Sequence, residues 1–367
     1  MKTIAKISLE ADGIGKQRLL QTMEAFNAAC DDIAVVCFKE HSASKFSIQK
    51  LVYHDIRKKH NLSAQLCIRA ISKTCEAYKR DKSIQPKFRK YGSITYDVRI
   101  LTFKGLNSDF PQVSLTTLDG RRSYEVSIRA YFASRIDRIN GQVDLVYRDD
   151  KFFLYATCDM PEGTPIEPDD VLGVDMGVVN IAVDSTGKVF SNKKVEQARV
   201  RICRHQAKLQ RKGTKSAKRK LKKISGKDAR FRADTNHCIS KHLVEKAKDT
   251  NSAIALEDLT HIQSRTRCRK SQRAARMSWA FFQLRSFIEY KAKLAGIPVV
   301  LVDPRNTSRQ CSACGYIDKA NRRSQSEFLC LSCGHQENAD INAAKNIKTR
   351  AASTILLSSA TDLIKVG

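Results

Sequence analysis

The chain has 367 residues, enough for two or three domains rather than one core, and a formal net charge of +28 from 66 Lys+Arg against 38 Asp+Glu. An excess of that size goes well beyond solubility and points to a polyanionic partner, which favours nucleic acid. No apolar run approaches the ~18 residues that would span a membrane, and the N-terminus lacks a signal-like apolar core, so a cytosolic chain without disulfides is expected.

The opening MKTIAKISLE reads as a strand. Leu19, Met23, Phe26, Cys30, Ile33 and Cys37 then recur at steps of three and four, the spacing of a helix face. A second helical stretch runs from about Ser47 to His60. A third starts at Ser63, whose hydroxyl can cap it, with Leu66, Ala70, Ile71, Cys75 and Tyr78 on one face. From Ser93 the period changes to two through Ile94, Tyr96, Val98 and Ile100, and continues at Val113 and Leu115, a turn at Asp119-Gly120, and Tyr124, Val126 and Ile128. A further hairpin turns at Asp149-Asp150, and PEGTPIEPDD (161 to 170) reads as a domain boundary. The pattern implies a β-barrel from 1–12 and 92–160 with a helical insertion at 13–91.

The second half begins VLGVDMGVVNIAVD, a turn at Ser185-Thr186-Gly187, and KVFS, which reads as three short strands. A basic helical region (about 194 to 250), the strand AIALEDL, a basic loop, a helix from Ser278 to Leu294, the strand IPVVLVD and a final helix from Asn338 to Arg350 follow. This β-β-β-α-β-α-β-α order is that of an RNase H-like domain, expected over 168–308 and 336–350, with an inserted zinc ribbon at 309–335 and a tail at 351–367. The fold class is therefore mixed α and β.

Three acids occupy comparable places. Asp175 ends an apolar strand, Glu257 follows the apolar AIAL, and Asp340 begins a helix in ENADINAAKNI. Taken singly, each fits a bland role as turn former, solvated strand end or helix N-terminal charge. In an RNase H-like sheet the first and fourth strands are neighbours crossed by the last helix, so the three can converge on Mg²⁺ or Mn²⁺ for phosphodiester hydrolysis. Asp258 points to the other face of its strand and is a bystander.

Of the twelve cysteines, eight stand singly; Cys30, Cys37, Cys67, Cys75 and Cys158 occupy positions suited to small apolar residues. Cys311, Cys314, Cys330 and Cys333 form C-x2-C-x15-C-x2-C, a spacing that wraps one structural Zn²⁺. A thiol redox role is the rival, and two pairs across a short turn favour zinc. His335 is read as a surface neighbour rather than a ligand, and Gly315 and Gly334 as suppliers of positive backbone angles.

Between 201 and 223 the basic residues Arg201, Arg204, Lys208, Arg211, Lys212, Arg219, Lys220 and Lys222 meet no acid at all. A solvated helix usually interleaves glutamates, so their absence suggests phosphate contact. Arg265, Arg267, Arg269 and Lys270 make a second basic segment soon after Glu257.

The runs WAFFQLRSFIEYKAKLAGIPVVLVDPRNTSRQCSACGY and CLSCGHQENADINAAKNI, with GVDMGVVNIAV and ALEDL, resemble the TnpB/OrfB proteins of insertion sequences, relatives of the type V CRISPR effectors. The likeness is specific across 171 to 350 and architectural over 1 to 160, where barrel and helices would be wedge domain and recognition lobe. It implies a guide RNA from a transposon end, a double-stranded DNA target beside a short adjacent motif, RuvC cleavage, and a bacterial or archaeal cytosol. It also implies association with a transposase-encoding element. By its motifs Asp175, Glu257 and Asp340 carry over as catalytic metal ligands and the four cysteines as zinc ligands. The alternatives are a nuclease-inactive RNA-guided regulator, which would have lost an acid, an RNase H-like transposase, whose triad would end in Glu, and a Holliday-junction resolvase, which gives no reason for the ribbon.

Overall fold

Periodic apolar positions build one core in the compact unit Met1–Pro161 and separate clusters on the two faces of the main sheet in the unit from Glu162 onward. The computed structural model describes residues 1–260 and 281–364, with side chains as far as Thr354.

The first unit opens with β1 (Lys2–Leu9) and three helices, α1 (Gly13–Lys39), α2 (Lys45–His60) and α3 (Ala64–Arg80). Each helix is capped from its own sequence: Asp12 accepts from Gly15 N, Ser44 from Ser47 N and Ser63 from Leu66 N. β2 (Ile94–Tyr96), β3 (Leu101–Lys104), β4 (Gln112–Thr117), β5 (Gly120–Ile128), α4 (Ala130–Ile136), β6 (Ile139–Arg148) and β7 (Lys151–Asp159) follow. The seven strands lie in the order β2-β6-β7-β1-β5-β4-β3, with β1 antiparallel to both β5 and β7. A hydrogen bond from Tyr96 Oη in β2 to Thr116 O in β4 links one end of the sheet towards the other in a nearly closed barrel. The β6–β7 turn has positive φ at both Asp149 and Asp150, as a tight two-residue hairpin of primed type requires.

Two expectations are corrected here. The alternation from Ile94 to Ile100 is not one strand: it breaks after Tyr96, and Val98 lies in a turn, 72% exposed. Four alternating residues are too few to fix a strand through a turn. The final helix does not stop at Arg350 but runs to Ile364, because nothing in ASTILLSSATDLI breaks a helix. The short α4 was not anticipated. Cys30, Cys37, Cys67, Cys75 and Cys158 are all buried, as small apolar residues would be.

The second unit contains β8 (Asp170–Asp175), β9 (Asn180–Asp184), β10 (Val189–Ser191), α5 (Lys193–Lys212), α6 (Lys215–Ile224), α7 (Lys227–Asp249), β11 (Ser252–Glu257), α8 (Phe281–Ala295), β12 (Val299–Val302), β13 (Glu327–Leu329), β14 (Gln336–Asn338) and α9 (Ala339–Ile364). Its main sheet runs β10-β9-β8-β11-β12. β8, β9 and β10 pair antiparallel, whereas β11 is parallel to both β8 and β12. Every residue of β11 is buried, as expected of a central strand covered on both faces. Leu172, Val174, Ile254 and Leu256 face α7 and α8 through Leu243, Ala247, Leu284 and Ile288. Val171, Ala253, Ala255 and Val302 face the other way, against Ile347 and Ala351 of α9.

Candidate metal centres and nucleic-acid surface

Strand parity decides where the acids point. Successive strand side chains alternate faces, so Asp175 shares the face of Val171 and Gly173, and Glu257 that of Ala253 and Ala255. Both therefore lie on the side covered by α9. β8 and β11 are paired in parallel up to Val174↔Leu256, which leaves the two acids side by side at the strand ends.

The helix reaches that face because the strands offer it small residues. A Cβ on Gly173 would overlap the carbonyl oxygen of Ala344 and stand 2.6 Å from Lys348 N. Lys348 Nζ also meets Asp170 Oδ2 at 2.8 Å, so α9 runs antiparallel to β8. One helical turn before Ala344 is Asp340, and two strand residues after Gly173 is Asp175; both steps are about 6–7 Å. Asp340 is thereby carried to the end of β8.

Electrostatics records the convergence. Burial, and then the like charges of Glu257 and Asp340, push the Asp175 carboxyl up to about 8, with Arg322 pulling the other way. Glu257 is also raised by burial, opposed by the hydroxyl of Thr307 and the charge of Arg350. Asp340 is held on both oxygens, by Asn180 Nδ2 at 2.8 Å and Arg322 Nη2 at 2.9 Å. Carboxylates crowded in this way, two buried and Asp175 half-buried, are costly without a cation, and their hard oxygen donors suit Mg²⁺ or Mn²⁺. Asp258 turns away to Arg285, 2.9 Å distant.

Cys311, Cys314, Cys330 and Cys333 bring all four sulfurs within 4.8 Å of one another. The contacts Cys311–Cys333 and Cys314–Cys330 are 3.7 and 3.5 Å, close to the ~3.8 Å edge of a tetrahedron with Zn–S bonds of about 2.3 Å. The two pairs sit in matching turns. Gly315 N bonds Cys311 O, Gly334 N bonds Cys330 O, and both glycines have positive φ, 77° and 72°. His335 is engaged with Glu337 at 3.5 Å instead of facing the sulfurs. The donor set fits a closed, structural zinc site.

Arg201, Arg204, Lys208, Arg211 and Lys212 lie exposed on α5, and Arg219, Lys220 and Lys222 exposed on α6. Arg204, His205 and Lys208 help line a shallow surface groove with Gln197 and Val200. Arg265, Arg267, Arg269 and Lys270 lie outside the described residues.

Four contributors to the centre were not singled out by sequence: Asn180, Thr307, Arg322 and Arg350. Arg322 lies between the cysteine pairs, so the ribbon segment itself touches the carboxylates. The polar Asn342 and Asn346, one turn apart within the alanine-rich start of α9, were a legible signal for a buried network.

Residues 156–263 match the OrfB_IS605 family, described as "Probable transposase", and residues 281–347 match the "Cas12f1-like, TNB domain" family. Over these two stretches the chain is similar to TnpB/OrfB-type sequences. It is 32% identical over 218 residues to the CRISPR-associated endodeoxyribonuclease Cas12f1 of Sulfoacidibacillus thermotolerans, covering 54% of this chain and 50% of that protein. A TnpB-like protein of Methanocaldococcus jannaschii is 35% identical over 128 residues, 35% of this chain and 45% of the relative. The chain spans about half the length of the curated relatives it matches. In fold it resembles a solved Cas12f1–sgRNA–target DNA complex (TM-score 0.65, 16% identity, 92% of this chain and 83% of that one). It also resembles a mini-RNA-guided endonuclease, CRISPR-Cas_phi3 (TM-score 0.57, 11% identity, 96% and 92%). Among the described residues no helix is long and apolar enough to cross a membrane.

Proposed function

We propose that this protein is an RNA-guided DNA endonuclease of the TnpB type. The observation that carries the reading is the gathering of Asp175, Glu257 and Asp340 on one face of the second sheet, under α9, with Asp175 raised by burial and then by the other two. The sheet order, with three antiparallel strands joined to two parallel ones, supports reading this unit as a RuvC-like nuclease domain. The partners follow from the family and from the solved relative's complex with guide RNA and target DNA.

The three acids would hold Mg²⁺ or Mn²⁺; bound there, a divalent pair supplies Lewis-acid stabilisation of phosphoryl oxygens and a more acidic attacking water. The chain's own groups do the rest. Asn180 and Arg322 orient Asp340, Thr307 donates to one oxygen of Glu257, and Arg322 places a fixed positive charge beside the carboxylates. The cysteine cluster would hold one structural Zn²⁺ and fix the segment that delivers Arg322. In this reading 1–12 and 92–160 form a wedge-like barrel and 13–91 a recognition lobe that together read the target-adjacent motif. Residues 168–308 and 336–350 form the nuclease domain, 309–335 its zinc ribbon, and α5 and α6 grip phosphates. Target sequence is read by base pairing.

Sequencing of RNA that copurifies with the expressed protein tests the partner. A discrete species released by rising salt is expected; the absence of any enriched RNA would leave an unguided nuclease.

A further inference from the structure

Between β12 and the first cysteine pair the chain runs without regular structure for most of 303–312, yet it passes beside the carboxylates. Thr307, 3% exposed, directs its hydroxyl to Glu257 Oε1 at 2.5 Å and lies 3.0 Å from Pro304 O. A hydroxyl has one proton, and the shorter contact to the charged acceptor takes it. One lone pair of Glu257 Oε1 is thus taken, which fixes the rotation of the carboxylate and leaves its other lone pairs for a ligand.

The segment is itself held from α9. Asn346 Nδ2 donates to Thr307 O at 2.8 Å and to Gln310 O at 2.7 Å. Asn342 Nδ2 donates to Gln310 O at 2.8 Å, and its Oδ1 accepts from Ser312 N at 2.9 Å. Arg350 donates to Asp303 O at 2.9 Å and Arg305 O at 2.7 Å. Asn342, Asn346 and Arg350 are four residues apart, one stripe of the helix. Main-chain oxygens that no ladder satisfies must find donors, and the stripe provides them. The same helix begins with Asp340.

We propose that Thr307 is a positioning residue that fixes the carboxylate of Glu257 for a divalent cation shared with Asp175 and Asp340, and that the Asn342–Asn346–Arg350 stripe keeps it in register with Asp340. This rests on the reading of the three acids as a metal centre. One helix then sets two of the three ligands, Asp340 directly and Glu257 through Thr307. Without the hydroxyl, Glu257 regains rotamer freedom, which must be lost again on binding a cation. Partners of metal ligands typically contribute about 10- to 100-fold to affinity.

The test is Mn²⁺ titration of the full-length protein, with free Mn²⁺ followed by electron paramagnetic resonance, alongside zinc content and thermal unfolding. Thr307→Val should weaken Mn²⁺ binding about 10- to 100-fold with zinc content unchanged. Thr307→Ser, which keeps the proton, should restore it. Thr307→Ala against Thr307→Ser repeats the comparison without the bulk of valine, should valine fail to fold. Equal Mn²⁺ affinity in the alanine and serine variants would overturn the proposal while Asp175→Asn still abolishes binding. If Asp175→Asn leaves Mn²⁺ binding intact, the metal-centre reading itself fails.

Discussion

Gly173 lies so close under Ala344 that any side chain on it would overlap the helix backbone. This contact is what lets α9 descend onto β8 and carry Asp340 to Asp175, so one missing methyl group sets the geometry of the centre. Gly173→Ala should therefore cost about 1–3 kcal/mol of stability, as overpacking does, and weaken Mn²⁺ binding by unseating Asp340. Thermal unfolding and Mn²⁺ titration would show both. Unchanged values would mean that the helix has room to spare.

The buried acids give the metal-free protein a pH signature. Asp175 in the folded chain titrates at about 8, above its ordinary 3.8, so the folded state keeps a proton that the unfolded chain releases. The stability linked to this group is fully present below the ordinary value and is lost as pH rises through about 8. Glu257, also raised, acts in the same direction. In chelator, wild-type Tm should fall more from about pH 5 to pH 8 than that of Asp175→Asn, which carries no titrating group there. Mg²⁺ should restore wild type at the higher pH and leave the variant unmoved. Parallel Tm curves would contradict the crowding of the acids.

The cysteine cluster should carry one zinc per chain. Cys311→Ser or Cys330→Ser should lower both zinc content and Tm, because structural zinc contributes directly to folding free energy. Elemental analysis of reduced, untagged protein decides this, and zinc-free wild type of full stability would rule the site out.

The basic face of α5 should act through phosphates. Replacing Arg201, Arg204 and Lys208 together by Gln should weaken RNA binding irrespective of sequence. The slope of log K against log salt should become shallower by about two, from roughly 0.7 per lost contact. An unchanged slope would place the RNA elsewhere.

Much of this arrangement is legible in the sequence, and the exceptions have a common cause. Asp175 and Glu257 sit at the ends of strands and Asp340 in the first turn of a helix because apolar periodicity and helix-start chemistry are local signals. The four cysteines come together because their spacing is a local constraint as well. Val98 misled because a turn following Tyr96 happens to continue the alternation for two more apolar residues, Val98 and Ile100. Thr307 lies in irregular chain 50 residues from Glu257, and Arg322 is 18 residues before Asp340, just outside the short strands β13 and β14. No period or motif links such pairs; only the tertiary approach does.

The most direct test of RNA-guided, metal-dependent cleavage is digestion of a plasmid library in Mg²⁺, with one fixed target beside randomised flanking bases. It is run with and without RNA transcribed from the native locus, and with Asp340→Ala as the control. Cutting should require the RNA, the matching target and Asp340, and the cut plasmids should share a short flanking motif. Equal cutting without RNA, or cutting by Asp340→Ala, would contradict the account.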